Sequence, residues 1–153
     1  MAAGTVSGSS RRFPAAARSK ARRLAMQAVY QWQMTAHDAT DILAQFLTDA
    51  DNRGADTEYF EVLVRGVVQG HATLDALLAP VLARPLDEVD PVERAMLRVA
   101  AFELQQCLDV PYRVVLNEAV ALTKKYGAEQ GHTFVNAALD RLARDLRAVE
   151  MRG

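Results

Sequence analysis

Cysteine is nearly absent: the 153 residues include one, Cys107. That excludes an internal disulfide framework and fits a reducing, cytoplasmic compartment. The three histidines, His37, His71 and His132, are scattered, with no pair one helical turn apart and no CxxC beside them. A histidine- or cysteine-based metal site is therefore not expected. No apolar run reaches the roughly 20 residues that span a bilayer, and no signal peptide is visible. Ser10-Arg11-Arg12-Phe13 faintly resembles a twin-arginine signal, but Pro14 and four further cations follow where an apolar segment is required. Aromatic residues are scarce and alanine and leucine dominate the apolar half, a bias toward helix over sheet. Period-two alternation, internal repeats and long heptad runs are missing too, so neither a sheet nor a coiled coil is predicted.

Catalytic constellations are equally hard to find. Gly127 to Gly131 followed by His132-Thr133 has the wrong glycine spacing for a phosphate loop, lacks the lysine and follows a helix. Asp87, Glu88, Asp90 and Glu93 cluster around a helix start, where a solvated, capped turn is the expected setting. An acid–base pair needs a carboxyl pushed toward neutrality by burial, which that stretch does not promise. Cys107 reads as an inert core thiol. No enzyme activity, cofactor or metal is expected.

What is present is an uneven distribution of charge. Residues 1–25 hold six cations (Arg11, Arg12, Arg18, Lys20, Arg22, Arg23) and no acid. The rest of the chain holds 12 Lys and Arg against 19 Asp and Glu, a balance of −7 behind the overall −1. A basic arm on an acidic body reads either as a polyanion-binding element or as a solvated tail.

The spacing predicts one all-α bundle of about six to seven helices over 14–148, after a disordered extension 1–13 and before a flexible end 149–153. The first helix runs from about Pro14 or Ser19 to Met34, with Leu24, Ala25, Ala28, Val29 and Trp32 as its buried stripe. Arg18 and Arg22, four apart, share one side of it. A second helix starts near Asp38 and uses Ile42, Leu43, Phe46 and Leu47. A third follows Asp56 and is stopped by Pro80 and Pro85. Asp90-Pro91-Val92-Glu93 is a helix start, with Asp90 as cap, Pro91 in the first turn and Glu93 at the positive end of the dipole. Pro111 separates that helix from the next, which Gly127 ends. A last helix carries Phe134 to Leu146. Gly66 and Gly70 form a GxxxG that in a soluble helix reads as close packing.

Three blocks of residues resemble the NusB family. They are Arg18-Ser-Lys-Ala-Arg22 with Ala28-Val-Tyr30-Gln-Trp32; Asp90-Pro-Val-Glu93 through Arg98 to Glu103-Leu104; and Asp109-Val-Pro111-Tyr112-Arg113 through Asn117-Glu118-Ala119, Lys124-Lys125-Tyr126-Gly127-Ala128-Glu129 and His132-Thr-Phe134-Val135-Asn136 to Leu139-Asp140. Their order and spacing cover nearly the whole chain from Arg18. The resemblance implies two packed helical sub-bundles and no catalysis. It also implies binding of boxA RNA in ribosomal RNA transcripts together with a small-subunit ribosomal protein, NusE, as a heterodimer. RNA polymerase and other Nus factors are implied as indirect partners, and no membrane. On residues, it implies RNA contact by Arg18, Lys20 and Arg22, with Arg23 an added charge on a different side and Ser19 where another arginine is common. Tyr30 and Phe134 match aromatic positions near RNA, and Gln130 stands where some relatives carry an acid. Glu93 lies on the helix that resembles the ribosomal-protein docking surface. For Tyr30, packing against Met26 is an open alternative, and for Phe134 a place in the core. A protein-interaction module is the rival function, and monomer and homodimer are both open.

Overall fold

Aspartates set the helix starts. Asp38, Asp56 and Asp90 each accept a hydrogen bond from a backbone N–H in the first turn that follows, satisfying donors that a helix start leaves unpaired. In the computed structural model, which describes residues 15–49 and 52–152, these starts belong to α2 (Ala39–Leu47), α3 (Thr57–Leu78) and α4 (Pro91–Gln106). Before them comes α1 (Ala15–Thr35); after them come α5 (Tyr112–Tyr126), α6 (Gly131–Leu146) and α7 (Ala148–Arg152). Two short 3-10 turns, Ala79–Val81 and Leu86–Glu88, join α3 to α4. The described residues contain no strand. Arg11, Arg12 and the expected extension 1–13 lie outside the described residues.

The helices pack as two sub-bundles that share α4. One is built from α1, α2, α3 and α4, the other from α4, α5 and α6. A shared helix must be buried on most of its circumference, and α4 is: Ala95, Met96, Leu97, Val99, Ala100, Ala101 and Leu104 are all inside. Small alanines on α1 (Ala17, Ala21, Ala25, Ala28) let it approach closely. Gly66 serves the same purpose on α3, since a Cβ there would lie 2.2 Å from the Phe102 ring. Gly70 has open space around it and non-helical angles instead, marking a kink in α3. Gly127 caps the end of α5 with its N–H donating to the Thr123 carbonyl, and a Cβ there would lie 2.8 Å from that oxygen. Leu47, expected inside, is exposed at the end of α2.

Where a flexible segment 149–153 is expected, residues 149–152 belong to the helix α7, and Gly153 lies outside the described residues. The reason is Arg147, which is 4% exposed. Its guanidinium donates to the carbonyls of Glu103, Leu104, Cys107 and Val110 at 2.7–3.1 Å; Glu103 and Cys107 also accept a backbone N–H, whereas Arg147 supplies the donors for Leu104 and Val110. Glu150 pairs with Arg147 at 2.6 Å and accepts the Tyr112 N–H at 2.8 Å, tying α7 to the start of α5. Replacing Arg147 by methionine strands the Leu104 and Val110 carbonyls and removes the partner of Glu150. Urea denaturation should show a loss of at least about 3 kcal/mol.

Candidate nucleic-acid interface

Arg18 and Arg22 do share one side of α1, and that side is the core. They are 6% and 3% exposed, so the expectation that they contact RNA is corrected to a structural role. Arg22 donates through Nε to both Glu103 oxygens (2.9 and 3.0 Å) and through Nη1 to Glu118 (3.2 Å). The Tyr59 hydroxyl donates to the same Glu103 carboxylate. Arg18 lies 3.6 Å over the Tyr59 ring and 3.5 Å from the Asp56 carboxylate. Burial works against the Arg22 charge, but Glu103 outweighs it and raises the guanidinium's pKa. Burial and the Glu103 charge raise that of Tyr59 too, which stays protonated. Cys107, fully buried nearby, is pushed up to about 12 by burial and then by Glu103, an unreactive thiol as expected.

The open cations of α1 lie elsewhere. Lys20 is half-buried and donates to the Arg53 carbonyl. Arg23 is half-buried and enters none of the ion pairs among the described residues. Its positions i+4 and i+7 are Gln27 and Tyr30, so these three form one stripe along α1. Tyr30 is exposed and lines a small apolar slot of about 170 Å³ with Met26, Gln27, Val92 and Tyr126. Tyr126, at the end of α5, is exposed as well, with the Lys125 ammonium 5.5 Å from its ring. Lys124 and Lys125 are both exposed. A second depression, about 340 Å³, continues the seam between α1 and α5 past Ser19, Pro111, Val114 and Glu118. Two tyrosines over an apolar floor, with cations at both ends, suit a flat base and its phosphates.

Gln130 is the residue before α6, four positions after Tyr126 in the chain, and Phe134 lies one turn into that helix. Gln130 is exposed and holds a left-handed conformation (φ +67°). Phe134 is half-buried with the Arg84 guanidinium 4.4 Å over its ring. Glu93 is 2% exposed, which corrects its assignment as a docking residue. Its carboxylate accepts the Ala128 N–H at 3.1 Å and fills the space beside Gly131, where a Cβ would lie 2.0 Å from Oε2. Glu93 is thus a peg under the turn that carries Gln130. Burial pushes its pKa up, against the Ala128 hydrogen bond, which contradicts the solvated setting expected for this cluster.

A wider cleft, about 680 Å³, opens beside Trp32, His71, Asp75, Arg94 and Arg98. Arg98 is engaged there, donating to both Asp75 oxygens and to Gln33. No cluster of three or more His, Cys, Asp or Glu among the described residues could hold a metal ion. No helix among them is long and apolar enough to cross a membrane.

Comparison with known proteins follows the same outline. The sequence profile of the NusB family matches residues 19–144. The transcription antitermination protein NusB of Teredinibacter turnerae is 54% identical over 137 residues, covering 89% of this chain and 93% of that one. NusB of Idiomarina loihiensis is 52% identical over 126 residues, covering 82% and 91%. Among solved structures, T. maritima NusB superposes with a TM-score of 0.74 at 28% identity, covering 84% of this chain and 91% of that one. NusB in a complex of the antitermination factors NusB and NusE with double-stranded RNA superposes with a TM-score of 0.69 at 25% identity, covering 83% and 96%.

Glu93 also has a pH signature. A carboxyl whose folded pKa is raised binds its proton more tightly in the folded state. Its contribution is then greatest below the usual carboxylate range and declines as pH rises through the raised value. The stability of Glu93→Gln relative to the unaltered chain should therefore improve between pH 4 and pH 7. Urea midpoints across that range check the sign.

Proposed function

The chain belongs to the NusB family, and we propose that it is an RNA-binding transcription antitermination factor that works with NusE on boxA RNA of ribosomal RNA transcripts. It catalyses no reaction and acts in the cytoplasm, reaching RNA polymerase and the other Nus factors indirectly. The observation that carries this reading is the seam between α1 and α5. There Gln27 and Tyr30 of α1 meet Tyr126 of α5 in one slot, with Lys125 against the Tyr126 ring and Arg23 two turns before Tyr30 on the same stripe, while Lys20 lies further along α1 beside Arg53. Gln130 and Phe134 extend the same reading toward α6.

Affinity comes from cations meeting phosphates, and orientation from bases stacked on the tyrosines. Arg18 and Arg22 act indirectly by fixing α1 against α3, α4 and α5. The acidic body, at −7 outside the first 25 residues, repels RNA elsewhere. NusE supplies further positive surface, so assembly on RNA is cooperative. The solved relative holds double-stranded RNA, and that favours a second reading in which backbone contacts dominate and the tyrosine slot stays empty.

Quantitative binding of a boxA RNA, single-stranded and as a duplex, with and without NusE, tests these statements. About four phosphate contacts give a salt slope near −3 for the single strand. Lys20→Ala with Arg23→Ala should make it shallower by about 1.4, two contacts at about 0.7 each. Tyr30→Ala should cost about 1–3 kcal/mol with the slope unchanged, because stacking releases no counterions. Equal affinity with and without NusE would remove the cooperative arm, and no salt-dependent retention at all would favour a protein-interaction module.

A further inference from the structure

We propose that Arg84, in the linker between α3 and α4, is a phosphate-binding residue of the RNA face, held in place by the Phe134 ring beneath it. The inference rests on the RNA-binding reading and adds a residue from a segment to which the sequence assigned no function.

Three observations support it. First, the guanidinium is available. Arg84 is exposed and enters none of the ion pairs or hydrogen bonds found among the described residues. Most arginines whose contacts are described above are committed to carboxylates or carbonyls, so an uncommitted one stands out. Second, it is anchored. Its carbon lies 4.4 Å from the Phe134 ring centroid, a cation–π contact that anchors the head group on the ring while the residue remains exposed. Third, the segment carrying it is fixed at both ends. Val81 and Val89 are buried on either side. Arg141 donates to the Pro80 and Val81 carbonyls (3.3 and 3.5 Å) and Arg94 to the Asp87 carbonyl (3.2 Å). A cation on a short, pinned linker loses little freedom when it meets a phosphate.

The location is also suitable. Phe134 lies one turn into α6 from Gln130, and Glu93 under the same turn feels the Arg84 charge. Glu93 is itself buried, so it does not meet an incoming phosphate. Arg84 thus continues the positive edge of the site past Tyr126 and Gln130. Phe134 in turn acts as a platform for the cation, which changes its part from direct base stacking.

Binding of a single-stranded boxA RNA to the full chain at several salt concentrations decides the matter. Arg84→Ala should weaken binding several-fold and make the salt slope shallower by about 0.7, one phosphate contact. Arg84→Lys should keep the slope but bind more weakly than the unaltered chain, since an ammonium lacks the planar fork. Phe134→Leu and Arg84→Ala should be non-additive, because one change removes what the other positions. An unchanged affinity and slope in Arg84→Ala, with the unaltered chain binding normally, overturns this inference alone, and additive losses overturn the platform. Failure of the unaltered chain to bind RNA at any salt overturns the RNA-binding reading and this inference with it.

Discussion

The carboxylate of Glu103 holds three helices to α4 at one point. It accepts from Arg22 of α1 and Tyr59 of α3, and through Arg22 it is joined to Glu118 of α5. Taking these charges out of water is costly, and the attraction among them roughly offsets that cost. The network therefore adds little to total stability compared with an apolar replacement. It adds specificity, because hydrogen bonds have directions and apolar contacts do not. A rotation of α1 that still buried its alanines would strand two guanidinium groups. The angular setting of α1 is fixed in this way, and with it the outward direction of Arg23, Gln27 and Tyr30.

The same constraint divides the cations into two sets by the arithmetic of one helix. Arg18 and Arg22 precede Ala25 and Val29 by seven positions each, two turns, and so lie over the buried stripe. Lys20 and Arg23 fall outside it. A count of positive charge at one end of the chain cannot make this distinction, whereas the periodicity already used for the apolar residues can. The missing information was the identity of the partners. Glu103 and Asp56 are far away in sequence, and only the packed fold brings them to α1.

Much else was legible because it is local. The three aspartate starts, the proline stops and the end of α5 at Gly127 each depend on a few neighbouring residues, and all appear where the pattern puts them. The all-α class follows from the same signals, whereas the two sub-bundles were implied only by the family resemblance. Features that need two distant segments were not legible. Glu93 looked like a solvated residue of a helix start because its burial comes from the turn at 127–131. The last helix looked like a loose end because Arg147 is anchored by carbonyls some forty residues earlier. Tyr126 and the lysines beside it were visible as a motif, but only the approach of α5 to α1 turns Tyr126 and Tyr30 into two walls of one slot.

The close approach of Glu93 to Gly131 means that the two positions share a single volume. The carboxylate oxygen sits where a methyl group at position 131 would stand. A side chain can be gained at one position only if it is given up at the other, so the pair behaves as one inherited character. Among descendants of this sequence, glycine at 131 and a long side chain at 93 should persist together or be exchanged together, although 38 residues separate them.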